Sequence, residues 1–246
     1  MSKVGSQLLA SILVNAIYEM KNYPIILINT VISPLSFLIL IVFVSRGELL
    51  GVAIIGGLIM TMFQAGTFLQ SDLSHLKNDF KLQEMVVASP TRAGVYVAGI
   101  AISELIYSSP AIIILSTLFG LYVHTTLINV LGIIAVLLLM FLTSIALGFA
   151  LATVTTDIVQ SFAFSRLITT LFSTLAPVYY PITLLPEPVR TLAYLSPTTY
   201  AAQLSHGLAG YQQLSPDIAV MDWGVLLGIT AVCMWLGLRK ARWRER

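Results

Sequence analysis

Apolar residues gather in long runs along this chain, and charged residues fall mostly in the stretches between them. The runs cover 25–44, 49–69, 95–123, 127–154, 162–180 and 223–238. A helix rising about 1.5 Å per residue crosses the hydrocarbon of a bilayer in roughly 20 residues, so each run predicts a membrane-spanning helix. The third and fourth are longer than a bilayer needs and predict tilt or a projecting end, with Pro110 placed to kink the third. The fifth is expected to end at Tyr179 and Tyr180, because Pro181 lacks a backbone donor and biases its predecessor away from helix.

Outside the runs the pattern changes. Over 5–22, Gln7, Ser11, Asn15, Tyr18 and Asn22 trace one helical stripe, and Leu9, Leu13, Ala16, Ile17 and Met20 trace the opposite one, as in a helix lying in the membrane interface. The stretch SQLLASILVNA also has the outline of a secretory leader, but only Lys3 precedes it and polar residues interrupt its core, which favours the interfacial helix. Over 71–92, Leu73, Leu76 and Phe80 fall at helical spacing, Lys77 and Lys81 are four apart, and Ser89-Pro90 marks a stop. A short amphipathic helix and a solvated charged loop both fit that stretch. Over 181–208, Leu184, Leu185, Val189, Leu192, Leu195, Leu204 and Leu208 are too many apolar residues for a solvated linker. Pro186, Pro188 and Pro197 nevertheless break the segment well short of a span, which predicts a hairpin of short interfacial or re-entrant helices. The fold class expected is an all-α integral membrane protein of six transmembrane helices, filling 1–246 as one domain.

Composition agrees. The chain is 57% hydrophobic and 10% charged, against about a quarter charged in a typical soluble protein, so the bilayer must be its solvent. With the N-terminus in the cytoplasm, Lys3, Lys21, Lys77, Lys81, Arg92, Arg166, Arg239, Lys240, Arg242, Arg244 and Arg246 fall inside, and Arg46 and Arg190 outside. Both termini are then cytoplasmic in a multi-pass protein of the cell membrane, with Trp243 at the interface. The net charge of +2 is a topology signal and not a nucleic-acid footprint.

Little in the chain looks catalytic. The lone Cys233 reads as a small apolar residue, and His75, His124 and His206 are assigned to different faces of the membrane. Glu104 lies well inside the third run, where a carboxylate must face protein or a wet cavity or become neutral. Pairing with Arg166, binding a cationic substrate group, and local hydrogen bonding to Ser103, Tyr107 or Ser108 all remain open for it. Small residues at Ser144, Gly148 and Ala152, and at Ala53 and Gly57, form stripes suited to close helix packing within or between subunits.

Two stretches carry a family resemblance. Tyr180, Pro181, Leu185, Pro186, Leu195, Pro197, Thr198 and Tyr200 resemble the last extracellular loop of the ABC-2 type permeases, the membrane subunits of ATP-driven exporters. Glu84, Ser89, Pro90 and Arg92 resemble the close of that family's coupling helix. The resemblance implies that 71–92 is a cytoplasmic coupling segment, with Asp79, Phe80, Leu82, Glu84, Met85 and Arg92 resting on an ATPase subunit. It implies a substrate pathway along the dimer interface, between facing second and fifth spans, for which Phe63, Gln64, Thr67, Phe68, Phe164, Thr169, Phe172 and Ser173 are the wall residues, with Glu104 as a further candidate. It also implies an exit hairpin marked by Tyr180, Pro181, Pro186, Pro197 and Tyr200, and an N-terminal connecting helix. The sparse charge of that helix, Lys3 and Lys21, departs from the family's commoner pattern.

No Gly-Lys pair exists in the chain, so no P-loop does. The expected function is therefore the permease subunit of an exporter, moving an amphipathic, lipid-like or drug-like cargo as a homodimer with a separate ABC ATPase. No cofactor is expected in this chain, ATP and magnesium belonging to the partner, and neither a catalytic residue, a metal site nor a nucleic-acid partner is expected. The alternatives are an unpowered channel or carrier, and an intramembrane enzyme using Glu104, His124 and His206.

Overall fold

The computed structural model describes residues 3–78, 93–153, 155 and 158–240, and among them the chain is helical with no strand. The N-terminal helix comprises α1 (Lys3–Ile12), a π-helical turn (Leu13–Tyr18) and α2 (Glu19–Asn22). There follow α3 (Ile25–Val44), α4 (Leu50–Asn78), α5 (Ala93–Tyr107), α6 (Ser109–Tyr122), α7 (Leu127–Ala152) and α8 (Ile158–Leu175). A 3-10 turn (Ile182–Leu184), α9 (Glu187–Ala193) and α10 (Pro197–Leu208) form the hairpin, and α11 (Pro216–Lys240) closes the chain.

By length and composition three helical stretches can cross a membrane: Leu50–Gln70, Leu127–Ala152 and Pro216–Arg239. Val97–Tyr107 and Ser109–Tyr122, bent by 55°, make a fourth if the pair is one broken span. Pro110 supplies the cause of the bend, since it cannot donate to the carbonyl of Ile106 and its ring crowds the preceding turn. The ladder closes again on the far side, where Ile112 N donates to Ser108 O at 3.0 Å.

The centre of the molecule is α4, buried at every residue from Gly51 to Phe63. Its closest partner is α7, and the contact is made by small residues: a Cβ at Gly66 would run into Ser144 Oγ, and one at Gly148 into the Gly66 carbonyl oxygen. Ser144 Oγ then donates to Met62 O at 3.0 Å and Phe141 O at 2.8 Å. Ala53 is fully buried and Gly57 faces Leu115 of α6. These parts of the small-residue stripes are thus filled within one copy of the chain, by backbone at Gly66 and Gly148 and by the Leu115 side chain at Gly57. On the other side of α7, Thr143 and Thr230 bond hydroxyl to hydroxyl at 2.7 Å and fasten α11.

Several boundaries differ from those expected. The fifth helix ends at Leu175 and not at Tyr180, because the nearer proline, Pro177, already denies Ala176 a helical conformation. The sixth begins at Pro216 and not at Trp223: Ser215 caps it, its Oγ accepting from Ile218 N at 3.4 Å, and proline suits the first helical position. The N-terminal helix contains a π turn that simple periodicity did not reveal. Half-buried Ser11 abuts Gly99 of α5 and Ala16 is fully buried, while Leu9, Val14 and Ile17 stay exposed, so neither stripe of the expected amphipathic helix is wholly covered.

Candidate functional site

Two polar regions stand out in this apolar molecule. The first is the seam between α4 and α8. Gln70, Ser161 and Ser165 are all buried there. Ser165 Oγ donates to Thr67 O at 2.8 Å and lies 3.2 Å from Gln70 Oε1, while Gln70 Nε2 donates to Ser161 O at 3.3 Å. Ser161 Oγ returns a bond to Gln70 O at 3.3 Å. Thr67 and Thr169 meet hydroxyl to hydroxyl at 3.3 Å, and one turn away the rings of Phe63 and Phe172 pack 5.5 Å apart. Each polar atom in this ladder uses another helix's backbone or side chain, which is how polar groups stay inexpensive in an apolar bundle.

The structure therefore brings Phe63, Thr67, Thr169 and Phe172 together inside one chain. Gln64 turns to α3, donating to Ser33 Oγ at 3.2 Å. Phe68 and Phe164 remain exposed on the outer sides of their helices, and Ser173 lies on α8 with its side chain outside the described residues. Glu104 is buried on α5, whereas Arg166 is exposed on α8. Asp79, Phe80, Leu82, Glu84, Met85 and Arg92 all fall within 79–92, outside the described residues.

The second region is the hairpin. After α8 the chain turns at Val178 and Tyr179, and Tyr179 is buried with its ring stacked on Phe37 at 5.3 Å. Tyr180 and Pro181 lead into the 3-10 turn, with Pro181 extended at ψ 140. Arg190 Nη1 holds Glu187 Oε1 at 2.7 Å, and its Nη2 holds Leu185 O at 3.0 Å, which ties α9 to the turn before it. Pro186 and Pro197 each introduce a short helix, where a missing donor costs nothing. Tyr200 OH donates back to Tyr194 O at 2.8 Å, and Thr125 Oγ1 on the α6–α7 connection donates to Leu208 O at 3.2 Å.

α10 is sunk among α4, α7 and α11. His206 is buried there too; burial pushes its imidazole down to about 4 and so keeps it neutral, opposed only by its hydrogen bond to the Val52 backbone of α4. Exposed His124, buried His206 and buried Glu104 sit on different elements, and among the described residues no three His, Cys, Asp or Glu side chains are grouped as metal ligands. One acidic residue drew no notice in the sequence: Asp222, which directly precedes the apolar run 223–238, is fully buried within the last helix. The sequence signal was Ser215-Pro216-Asp217, a helix start placed earlier than the apolar run.

Long apolar helices joined through a polar seam define an integral membrane protein. The ABC-2 type transporter family model matches residues 7–208, from the first helix through the last helix of the hairpin, and the chain belongs to that family. It is accordingly a membrane permease of ABC-type transport. No curated protein matches the chain.

Proposed function

We propose that this chain is the membrane half of an ATP-driven exporter, with six spans and both termini in the cytoplasm, acting as a homodimer with two copies of a separate ATPase. The observation that carries the reading is the family match over 7–208, which takes in the connecting helix, the coupling segment and the hairpin together. In this reading α3, α4, the bent pair α5–α6, α7, α8 and α11 cross the cell membrane. The N-terminal helix lies in the inner interface, and 71–92 meets the ATPase through Asp79, Phe80, Leu82, Glu84, Met85 and Arg92. ATP and magnesium bind on that partner.

Cargo moves beside α4 and α8. The hydrogen-bonded ladder between them makes a stiff wall, and Phe68 and Phe164 offer the aromatic surface facing away from it toward a second copy. That surface, apolar with few polar handles, suits an amphipathic, lipid-like or drug-like molecule. The hairpin from Pro181 to Leu208 closes the outer end of the route.

The test is affinity purification of the tagged chain in mild detergent, with identification of what accompanies it. A P-loop ATPase is expected to co-purify, and Glu84→Arg is expected to release it or lower its cargo-stimulated hydrolysis about tenfold or more. A folded protein that never carries an ATPase overturns the exporter reading and returns the choice to a channel or carrier.

A further inference from the structure

Buried polar atoms without a hydrogen-bond partner collect where the hairpin meets the last helix. On the packed pair α10 and α11 they are Gln203 Oε1, Ser205 Oγ, His206 Nε2 and both carboxyl oxygens of Asp222; Arg190 Nε is a further one on α9, where the guanidinium is bonded to Glu187 and to Leu185 O. The α4–α8 seam has none among the described residues. A buried carboxylate left unpaired costs several kcal/mol, a cost that is met by taking up a proton or by a counter-charge.

Asp222 has company of a particular chemistry. Its charge reaches Tyr200, whose phenol is raised first by burial and then by Asp222 and Tyr194. The rings of Tyr194 and Tyr200 pack 6.0 Å apart, and Gln203 Nε2 donates to Tyr194 OH at 3.4 Å, which leaves the amide oxygen as an acceptor. Asp222 is fully buried and Gln203 is 6% exposed, whereas Tyr194 is 37% exposed and stands at the rim. Asp222 also lies only about 9 Å along α11 from Pro216, at 1.5 Å per residue, so the group is near one end of the helix and not at its middle. A carboxylate attracts a cation by charge, and the paired tyrosine rings beside the same stretch of α10 add the attraction of their quadrupoles. A small metal ion would want a fuller shell of oxygens, and among the described residues no such cluster exists. Asp222 falls outside the residues matched by the family model.

We propose that Asp222, Gln203, Tyr194 and Tyr200 form a binding site for an organic ammonium group. That the group arrives on a transported amphiphile rests on the permease reading; the binding itself does not.

The test uses the whole protein in nanodiscs of phosphatidylglycerol, a lipid without an amine, titrated with tetramethylammonium chloride or sodium chloride at matched ionic strength. Trp223, the chain neighbour of Asp222, reports by fluorescence. A saturable response to tetramethylammonium and none to sodium is expected, with affinity about tenfold or more weaker in Asp222→Asn and several-fold weaker in Tyr194→Leu. Should Asp222→Asn fail to fold, Gln203→Leu must weaken binding or the proposal falls. It also falls if the response is unsaturable, if sodium saturates it alone, or if Asp222→Asn binds as the parent does. Recovery of an ATPase with this same preparation separates the two readings: a bound ATPase without ammonium binding sinks this site alone, and ammonium binding without any ATPase supports this site while sinking the exporter.

Discussion

At Gly66 a side chain would meet not the yielding tip of a neighbour but Ser144 Oγ and the backbone of Ser144 and Ile145. Gly224 of α11 has nothing within 4 Å of such a position. Gly66→Ala should therefore destabilise the protein by about 1–3 kcal/mol, as overpacking does. Gly224→Ala should be neutral or stabilise by up to about 1 kcal/mol, since alanine suits a helix interior better. Melting midpoints of the two variants in one detergent check the contrast; equal midpoints would mean that α4 and α7 do not touch at their glycines. The small-residue pattern was legible in the sequence at Ser144 and Gly148, but not its partner. Periodicity locates a stripe on its own helix, and only the packing of α4 against α7 says what fills it.

Among the elements, α10 is the one whose seat depends on protonation. His206 keeps a neutral ring in the folded protein at about 4, below its ordinary 6.5, because burial disfavours the charged form. The unfolded chain therefore binds more protons between those values. The stability held by this neutral ring is complete above about pH 6.5 and is lost as pH falls through 4, amounting to about 3 kcal/mol. Melting followed from pH 7 to pH 4 should show the loss, and His206→Asn should flatten it; an unchanged slope would refute the assignment. That 181–208 forms short helices broken at its prolines was readable in the sequence, as was α3 from its run alone. What escaped was the start of α11 and the end of α8. In both places proline punctuation displaced the helix boundary from the edge of the apolar run, and hydropathy responds to lipid exposure more than to capping. The seam residues Gln70, Ser161 and Ser165 escaped for a related reason: each is unremarkable in sequence until two helices bring them together.

The whole molecule is graded from a saturated middle to an unsaturated end. α4 is covered on all sides from Gly51 to Phe63, whereas α9, itself part of the hairpin, rests on α8 with mostly exposed side chains. Amide hydrogen exchange should follow the gradient, with α4 and α7 slower than α9 and the 3-10 turn by on the order of tenfold or more. Uniform exchange across these segments would show that the hairpin is as firmly held as the core.

The glycine contact between α4 and α7 has a mechanical consequence. Side chains between helices act as compliant spacers, and a pair separated by them can roll or slip under load. Where Gly66 and Gly148 bring one main chain against another, that compliance is gone, and neither helix can turn about its axis without lifting off its neighbour. Around that contact the two helices are held as one unit.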